Sequence, residues 1–201
     1  MAIANGYSTL AEVKAALRIP SGDTIDDTLL EMAVESASRL VDGYTARSFY
    51  NAGTAVRYFV ADTDYLTYID DAITITQIAT DTSADGTYDI IWQGDDYQLE
   101  PLNGRVDGLV WPYNAIRAIG DYTFPIWGGE GLVKVTGTWG FSAIPTAIKQ
   151  ATIIQASRIF KRLDSPLGVL SSPDLGFIRV GSRLDPDVAQ LVDTYRIVKF
   201  A

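Results

Sequence analysis

Residues 144–170 read IPTAIKQATIIQASRIFKRLDSPLGVL, and the rest of the chain is organised around them. Pro145 stands where a helix can begin without losing a hydrogen bond, because a first-turn amide has no partner inside the helix. Ile148, Ala151, Gln155, Ile159 and Leu163 recur at helical spacing. Ile153, Ile154, Ala156 and Phe160 widen the apolar stripe almost all round, which predicts a helix buried on more than one side. Arg158, Lys161 and Arg162 fall in its last turns, where cations meet the negative end of the helix dipole. Asp164-Ser165-Pro166 ends it and Gly168 loosens the chain beyond.

Two helices are expected before this one. Thr9-Leu10-Ala11-Glu12 is a capping box, with a hydroxyl for the N3 amide and a carboxylate reaching back to the cap. Leu10, Val13 and Leu17 mark one face of a short helix that ends before Pro20-Ser21-Gly22. A second start follows at Thr24 or Asp26. Leu30, Ala33, Val34, Ala37, Leu40, Val41 and Tyr44 then keep helical spacing for four to five turns. Ala33 and Ala37 leave room for another helix to approach closely. The pattern fades between Gly43 and Ser48.

From Val56 the period changes to two. Val56 to Val60, Tyr65 to Ile69, Ile73 to Ile78, Tyr88 to Trp92 and Tyr97 to Leu99 are β-branched or aromatic runs. Ile116 to Ile119, Tyr122 to Phe124 and Leu132 to Thr136 continue the series. Asp81 to Gly86, Gly94-Asp95-Asp96 and Asn103-Gly104 separate them with turn residues. This predicts an antiparallel β module, a small sandwich or barrel, with Pro112 and Pro125 at edges or bends. After the central helix, Ser171 to Gly181 is punctuated by Gly and Pro, with Phe177 to Val180 a short strand. That loop has few apolar residues to hold it and is expected to order on assembly. Asp185-Pro186 is an N-cap followed by Pro at the first helical position, opening a helix through Val188, Leu191 and Tyr195. Arg196 to Ala201 reads as extended. The fold class is α+β: a small helical bundle, two helices before and two after, with an inserted antiparallel β module. Residues 1–54 and 140–201 form the helical part and 55–139 the insert.

Composition narrows the chemistry. The chain has 201 residues, is 47% hydrophobic and has a mean hydropathy of +0.08, enough for a substantial core. No apolar run approaches the roughly 20 residues of a membrane span. The N-terminus lacks the charged start and apolar stretch of a signal peptide. With no Cys and no His, thiolate chemistry, Ser-His-Asp systems and His-bearing zinc sites are excluded. The formal charge is −9 and it is uneven: Tyr58 to Gly104 holds ten acids and no Lys or Arg. Such a surface repels phosphates, which disfavours specific nucleic-acid binding yet lets DNA pass without sticking.

Several features carry a duller reading that prevails. Asp81-x-Ser83-x-Asp85-Gly86 opens like a calcium loop, but position twelve is Trp92 and the flanks read as strands, so a β-turn is expected. Adjacent acids on a strand point to opposite faces, so neither Asp70-Asp71 nor Asp95-Asp96 makes a hydrolase site alone, and solvated loop acids are expected. Trp92, Trp111, Trp127 and Trp139 read as the core of the β module rather than a sugar-stacking platform. Gly128-Gly129-Glu130-Gly131 lacks the Lys of a phosphate loop. No metal and no cofactor is expected.

Three stretches carry a resemblance: Thr9 to Phe49, Leu132 to Val169 and Asp185 to Arg196. The most specific pieces are Val135-Thr136-Gly137-Thr138-Trp139-Gly140 leading into Ile144-Pro145, then Lys161 to Gly168. Together they resemble the head–tail connector (adaptor, or head-completion) proteins of tailed bacteriophages, in the larger form with a β insert. The resemblance implies a structural virion protein without enzymatic activity, at the head–tail interface, assembled in the host bacterial cytoplasm. It implies a ring, typically twelve-fold, beneath the portal protein, extending the DNA channel and presenting a surface to the next stopper or tail protein. Passing DNA would meet no sequence-specific site, and no membrane is involved. Contact with the portal or a neighbouring copy is expected at Arg158, Lys161, Arg162, Tyr195, Ile197, Val198 and Phe200, the free end adding a strand to its partner. The competing reading is a β-rich carbohydrate- or surface-binding module of a phage tail, which would keep exposed aromatics on the insert.

Overall fold

The computed structural model describes residues 3–127, 129–162, 169–172, 176–179 and 184–197. The chain divides into two compact units, 1–50 with 144–201, and 51–143. The fold is α+β, with four α-helices and a six-stranded antiparallel sheet among the described residues.

In the first unit, α1 spans Leu10–Leu17 and its capping box is formed: Glu12 N–H donates to Thr9 Oγ1 and Thr9 N–H donates to Glu12 Oε2. The helix ends on Arg18 in the left-handed region, φ 60. Helix α2 spans Asp27–Thr45; Asp26 precedes it but makes no side-chain cap bond. Helix α3 spans Thr146–Lys161, with Pro145 extended just ahead of it at the cap position. Helix α4 spans Pro186–Val192, and Asp185 caps it by accepting from Asp187 N–H at 3.0 Å. Helix α2 packs on α3, α3 on α4, and α1 on both α2 and α3. Val13, Leu30, Ala33, Val34, Ala37 and Ala156 form the buried cluster, so the small residues do mark the close approach. Between α3 and α4, β9 (Val169–Ser172) and β10 (Gly176–Arg179) pair as a hairpin.

Two expectations change here. Leu40, read as a core residue, is 44% exposed, because Val34, Ala37 and Val41 define a narrower inward face. Helix α3 is not buried all round: Ile148, Ala151, Thr152, Gln155 and Ala156 are buried, while Ile153, Ile154, Ile159 and Phe160 are half-buried. Leu163, the helix stop at Asp164 to Gly168, and Val180 lie outside the described residues.

The main sheet of the second unit runs in the order β1-β8-β2-β7-β4, with β3 also on β2. The strands are β1 Asn51–Phe59, β2 Leu66–Thr80, β3 Ile90–Ile91, β4 Tyr97–Glu100, β7 Tyr113–Ala118 and β8 Val133–Gly140. β5 (Arg105–Val106) and β6 (Leu109–Val110) form a separate small hairpin. The two runs around Asp70-Asp71 are one strand, β2, which pairs with β7 through its first half and β8 through its second. A register shift between Tyr68 and Ala72 lets it change partners. The path has two ends, β1 and β4, so the module is an open sheet rather than a barrel or two-sheet sandwich. Tyr122 to Phe124 is loop, not strand, although Phe124 is buried.

Ile69, Ile78, Trp92, Ile116, Val133, Val135 and Trp139 fill the core of this unit. Trp92 stacks on Phe124 with centroids 4.5 Å apart and donates its indole N–H to Thr80 Oγ1. Trp139 donates to the Ala55 carbonyl, so these two buried indoles find acceptors. Trp92, Trp111 and Trp139 are core as expected; Trp127 is not, being 66% exposed.

Candidate interaction surfaces

The basic end of α3 is built as its sequence suggests. Arg158 and Lys161 lie in the last helical turn, and the Arg162 amide closes it by donating to the Arg158 and Ile159 carbonyls. Arg158 is ion-paired with Asp185, the residue that caps α4. One carboxylate therefore serves a helix N-terminus and a neighbouring helix's guanidinium at once. Lys161 is exposed at the end of the row.

The C-terminal candidates divide. Tyr195 is buried, edge-on to Phe49 with centroids 5.5 Å apart, and burial pushes its hydroxyl pKa up. Its ring belongs to the packing of the helical unit. Ile197 lies in extended chain, and its amide donates to the Thr45 carbonyl at 2.9 Å, satisfying an acceptor at the end of α2. Arg196 lies over the Tyr44 ring, whose hydroxyl donates to Asp193. Val198 and Phe200 lie outside the described residues.

The helical unit has a polar lock that sequence reasoning missed. Tyr7 donates to Asp42 Oδ1 and accepts from the Phe49 amide, and Arg39 Nε pairs with Asp42 at 2.9 Å. Burial, then the Asp42 hydrogen bond, hold the Tyr7 hydroxyl well above its ordinary pKa. Burial likewise raises the Asp42 carboxyl, against the opposing pull of Tyr7 and Arg39. The spacing of Arg39 and Asp42 is visible in the sequence; their meeting with Tyr7 is not. Beside this lock is a cavity of about 410 Å³, lined by Ile3, Gly6, Ser8, Leu10 and Ile144 among others, with the Glu12–Lys149 ion pair on its wall.

Exposed apolar groups supply further surface. Leu29, Met32 and Leu40 stand on the outward side of α2, preceded by Ile25 at 89% exposure. On the sheet unit, Val56 and Tyr58 of β1 are exposed, and so are Ile126 and Trp127. Buried Phe124 anchors the start of that loop while Ile126-Trp127 stands in solvent. Charge is divided as sharply as hydropathy. Of 25 acidic and 16 basic residues, thirteen and four fall between 51 and 143, so this unit carries the whole net charge of −9. The helical unit is neutral overall, yet α3 contains no acid.

Several of the acids are engaged in bends and pairs. Asp81 accepts from the Ser83 and Gly86 amides, which hold its carboxyl below the ordinary range despite burial. The calcium-like segment is a bend held by these side-chain bonds rather than by a backbone turn bond. Asp96 accepts from the Gln93 amide, and Asp70 pairs with Arg57 at 2.6 Å. Among the described residues there is no group of three or more acids arranged to hold a metal ion. No described helix is long and apolar enough to cross a membrane.

No protein-family model matches the sequence, and no curated protein does. Solved structures do share the fold. A chain in the neck of an empty gene transfer agent particle, computed with C6 symmetry, superposes at TM-score 0.60 with 19% identity, over 100% of this chain and 95% of that one. A chain in the neck of the native particle, computed with C12 symmetry, gives TM-score 0.55 and 18% identity over 96% and 90%. A chain from the virion of the native particle gives 0.56 and 20% over 96% and 90%. At these identities the likeness is one of fold, and it spans both units.

Proposed function

We propose that this protein is a non-enzymatic structural component of the neck of a tailed-phage-like particle, acting as a head-to-tail adaptor. The observation that carries this is the match of fold over essentially the entire chain, helices and β insert together, to neck chains of gene transfer agent particles. An isolated domain shared by chance would align one unit and leave the other. In this reading the copies form a ring, twelve-fold as in the C12 neck, beneath a portal protein at the head–tail interface of the virion. Residues 1–54 and 140–201 act as the connector domain, with the insert presented to a neighbour or to the next stopper or tail protein. Arg158, Lys161, Arg162, Ile197, Val198 and Phe200 are the contact candidates, with Tyr195 supporting them from within. The acidic insert suits a channel through which DNA passes without sequence-specific binding. Assembly takes place in the host bacterial cytoplasm.

The test is to mix purified protein with the portal of the same particle and image any complex. A ring sharing the portal's symmetry is the expected result; no binding at either low or near-physiological salt sinks the adaptor reading. One observation favours a second reading: Trp127 and Tyr122 are exposed on the insert, as a carbohydrate-binding surface of a tail module would require. Glycan screening with Trp127→Ala as control separates the two.

A further inference from the structure

Several β edges have no partner strand among the described residues, and two of them bear on assembly. The first is β1, which pairs with β8 on one side only and forms the end of the six-stranded sheet. Exposed edges invite pairing with another chain, and proteins usually blunt them with brevity, proline or charge. The opposite end is blunted: β4 has four residues and is followed by Pro101. β1 has nine residues, no proline and one charge, Arg57. That guanidinium is drawn onto Asp70 and lies 4.5 Å from the Trp139 ring centroid. The bulge in β1 is confined to Asn51/Gly53, so Thr54 to Phe59 keeps an unbroken register with β8. It offers a straight six-residue edge with Val56 and Tyr58 exposed.

The second is the β9–β10 hairpin, which is a sheet of two strands by itself. A two-stranded hairpin is marginal in water and becomes stable when a further strand or a packed face joins it. The charge of the segments flanking the hairpin favours joining the two. From Arg158 to Arg183 the sequence carries five Arg or Lys against two Asp, whereas the unit bearing β1 carries −9. One chain thus has a strand pair with no larger sheet, set between basic flanking residues, and an acidic sheet with an open edge. These are different elements of the subunit, so joining them between copies is a head-to-tail contact, of the kind that closes into a ring.

We propose that in the assembled ring the β9–β10 hairpin of each copy adds to the β1 edge of the next copy and extends its sheet. This rests on the ring reading given above. The chain has no cysteine, so engineered pairs report cleanly. Copies carrying Ser171→Cys or Ser172→Cys are mixed with copies carrying one cysteine at Thr54, Val56 or Tyr58. They are assembled on portal, oxidised and run without reductant. Adjacent strands lie about 5 Å apart, within disulfide reach. The expected result is a disulfide joining two different chains, present only in assembled rings. In parallel, Ile178→Pro is expected to lower ring yield at least tenfold while leaving the melting temperature of the free protein unchanged. Rings that form normally but cross-link at no β1 position overturn this contact and leave the adaptor reading standing. A chain carrying both Ser171→Cys and Val56→Cys serves as the control, and a link within that single chain in the unassembled protein overturns the second copy as occupant. Failure of the unsubstituted protein to form rings overturns both readings.

Discussion

Lys149 of α3 donates a hydrogen bond to Glu12 Oε1 at 2.9 Å, while the other oxygen of Glu12 holds the Thr9 amide that caps α1. A local capping device is thereby tied to the central helix from 137 residues away. The Lys149 bond, more than the capping amide, keeps the Glu12 carboxyl below the ordinary glutamate value of 4.5. A depressed carboxylate contributes stability that is present above its unfolded value and lost as pH falls through its folded one. Glu12→Gln, which preserves an acceptor for the cap, is expected to lower stability at neutral pH. It should also flatten the loss of stability below pH 4.5. Denaturant melts at a series of pH values check this, and parallel curves for both proteins would count against it.

Tyr7 joins Asp42 on α2 to the Phe49 amide. Tyr7→Phe fills the same space but leaves a half-buried carboxylate and a buried amide each short of a partner. The expected cost is about 1–3 kcal/mol. Chemical denaturation measures it, and a change near zero would mean that water replaces the hydroxyl.

Trp92 and Trp127 should behave oppositely. Trp92→Ala removes a buried ring stacked on Phe124 and is expected to cost about 3–5 kcal/mol. Trp127→Ala removes an exposed one and should change stability by less than about 0.5 kcal/mol. Any loss of partner binding by the second variant is then an interface effect.

Gly137 lies in β8, between β1 and β2. A Cβ there would sit 2.5 Å from the Thr74 carbonyl oxygen and 3.4 Å from the Ile75 Cα. Both are backbone, held in the sheet on the β2 side, so neither can swing away. Gly137→Ala is expected to destabilise by about 1–3 kcal/mol, read from the melting of the purified variant.

Leu29, Met32 and Leu40 stand outward on α2. Replacing all three with Ser should leave the monomer's melting temperature within a few degrees, since each site is worth under about 0.5 kcal/mol when exposed. Sedimentation of the wild type against the triple variant shows whether this face drives self-association; unchanged sedimentation at high concentration would exclude it.

What the sequence by itself determined was local. Thr9 and Glu12 set the start of α1, and Asp185 with Pro186 the start of α4, because each cap bond closes within four residues. Ala33 and Ala37 announced a close helix contact, and the shift to a period of two at Val56 announced strands. The tertiary structure decided what lies across long separations. It joined the two runs around Asp70-Asp71 into one strand by giving each half a different partner. It placed β1 beside β8, 84 residues apart at Thr54 and Thr138, and so left β1 at an open edge. It turned Leu40 outward because three smaller neighbours already filled the helix interface, and it buried three tryptophans while exposing Trp127. Hydropathy is the same for a buried and an exposed tryptophan. Which of them loses its water depends on surfaces brought together by the rest of the chain, and those surfaces exist only once the sheet and the helices have packed.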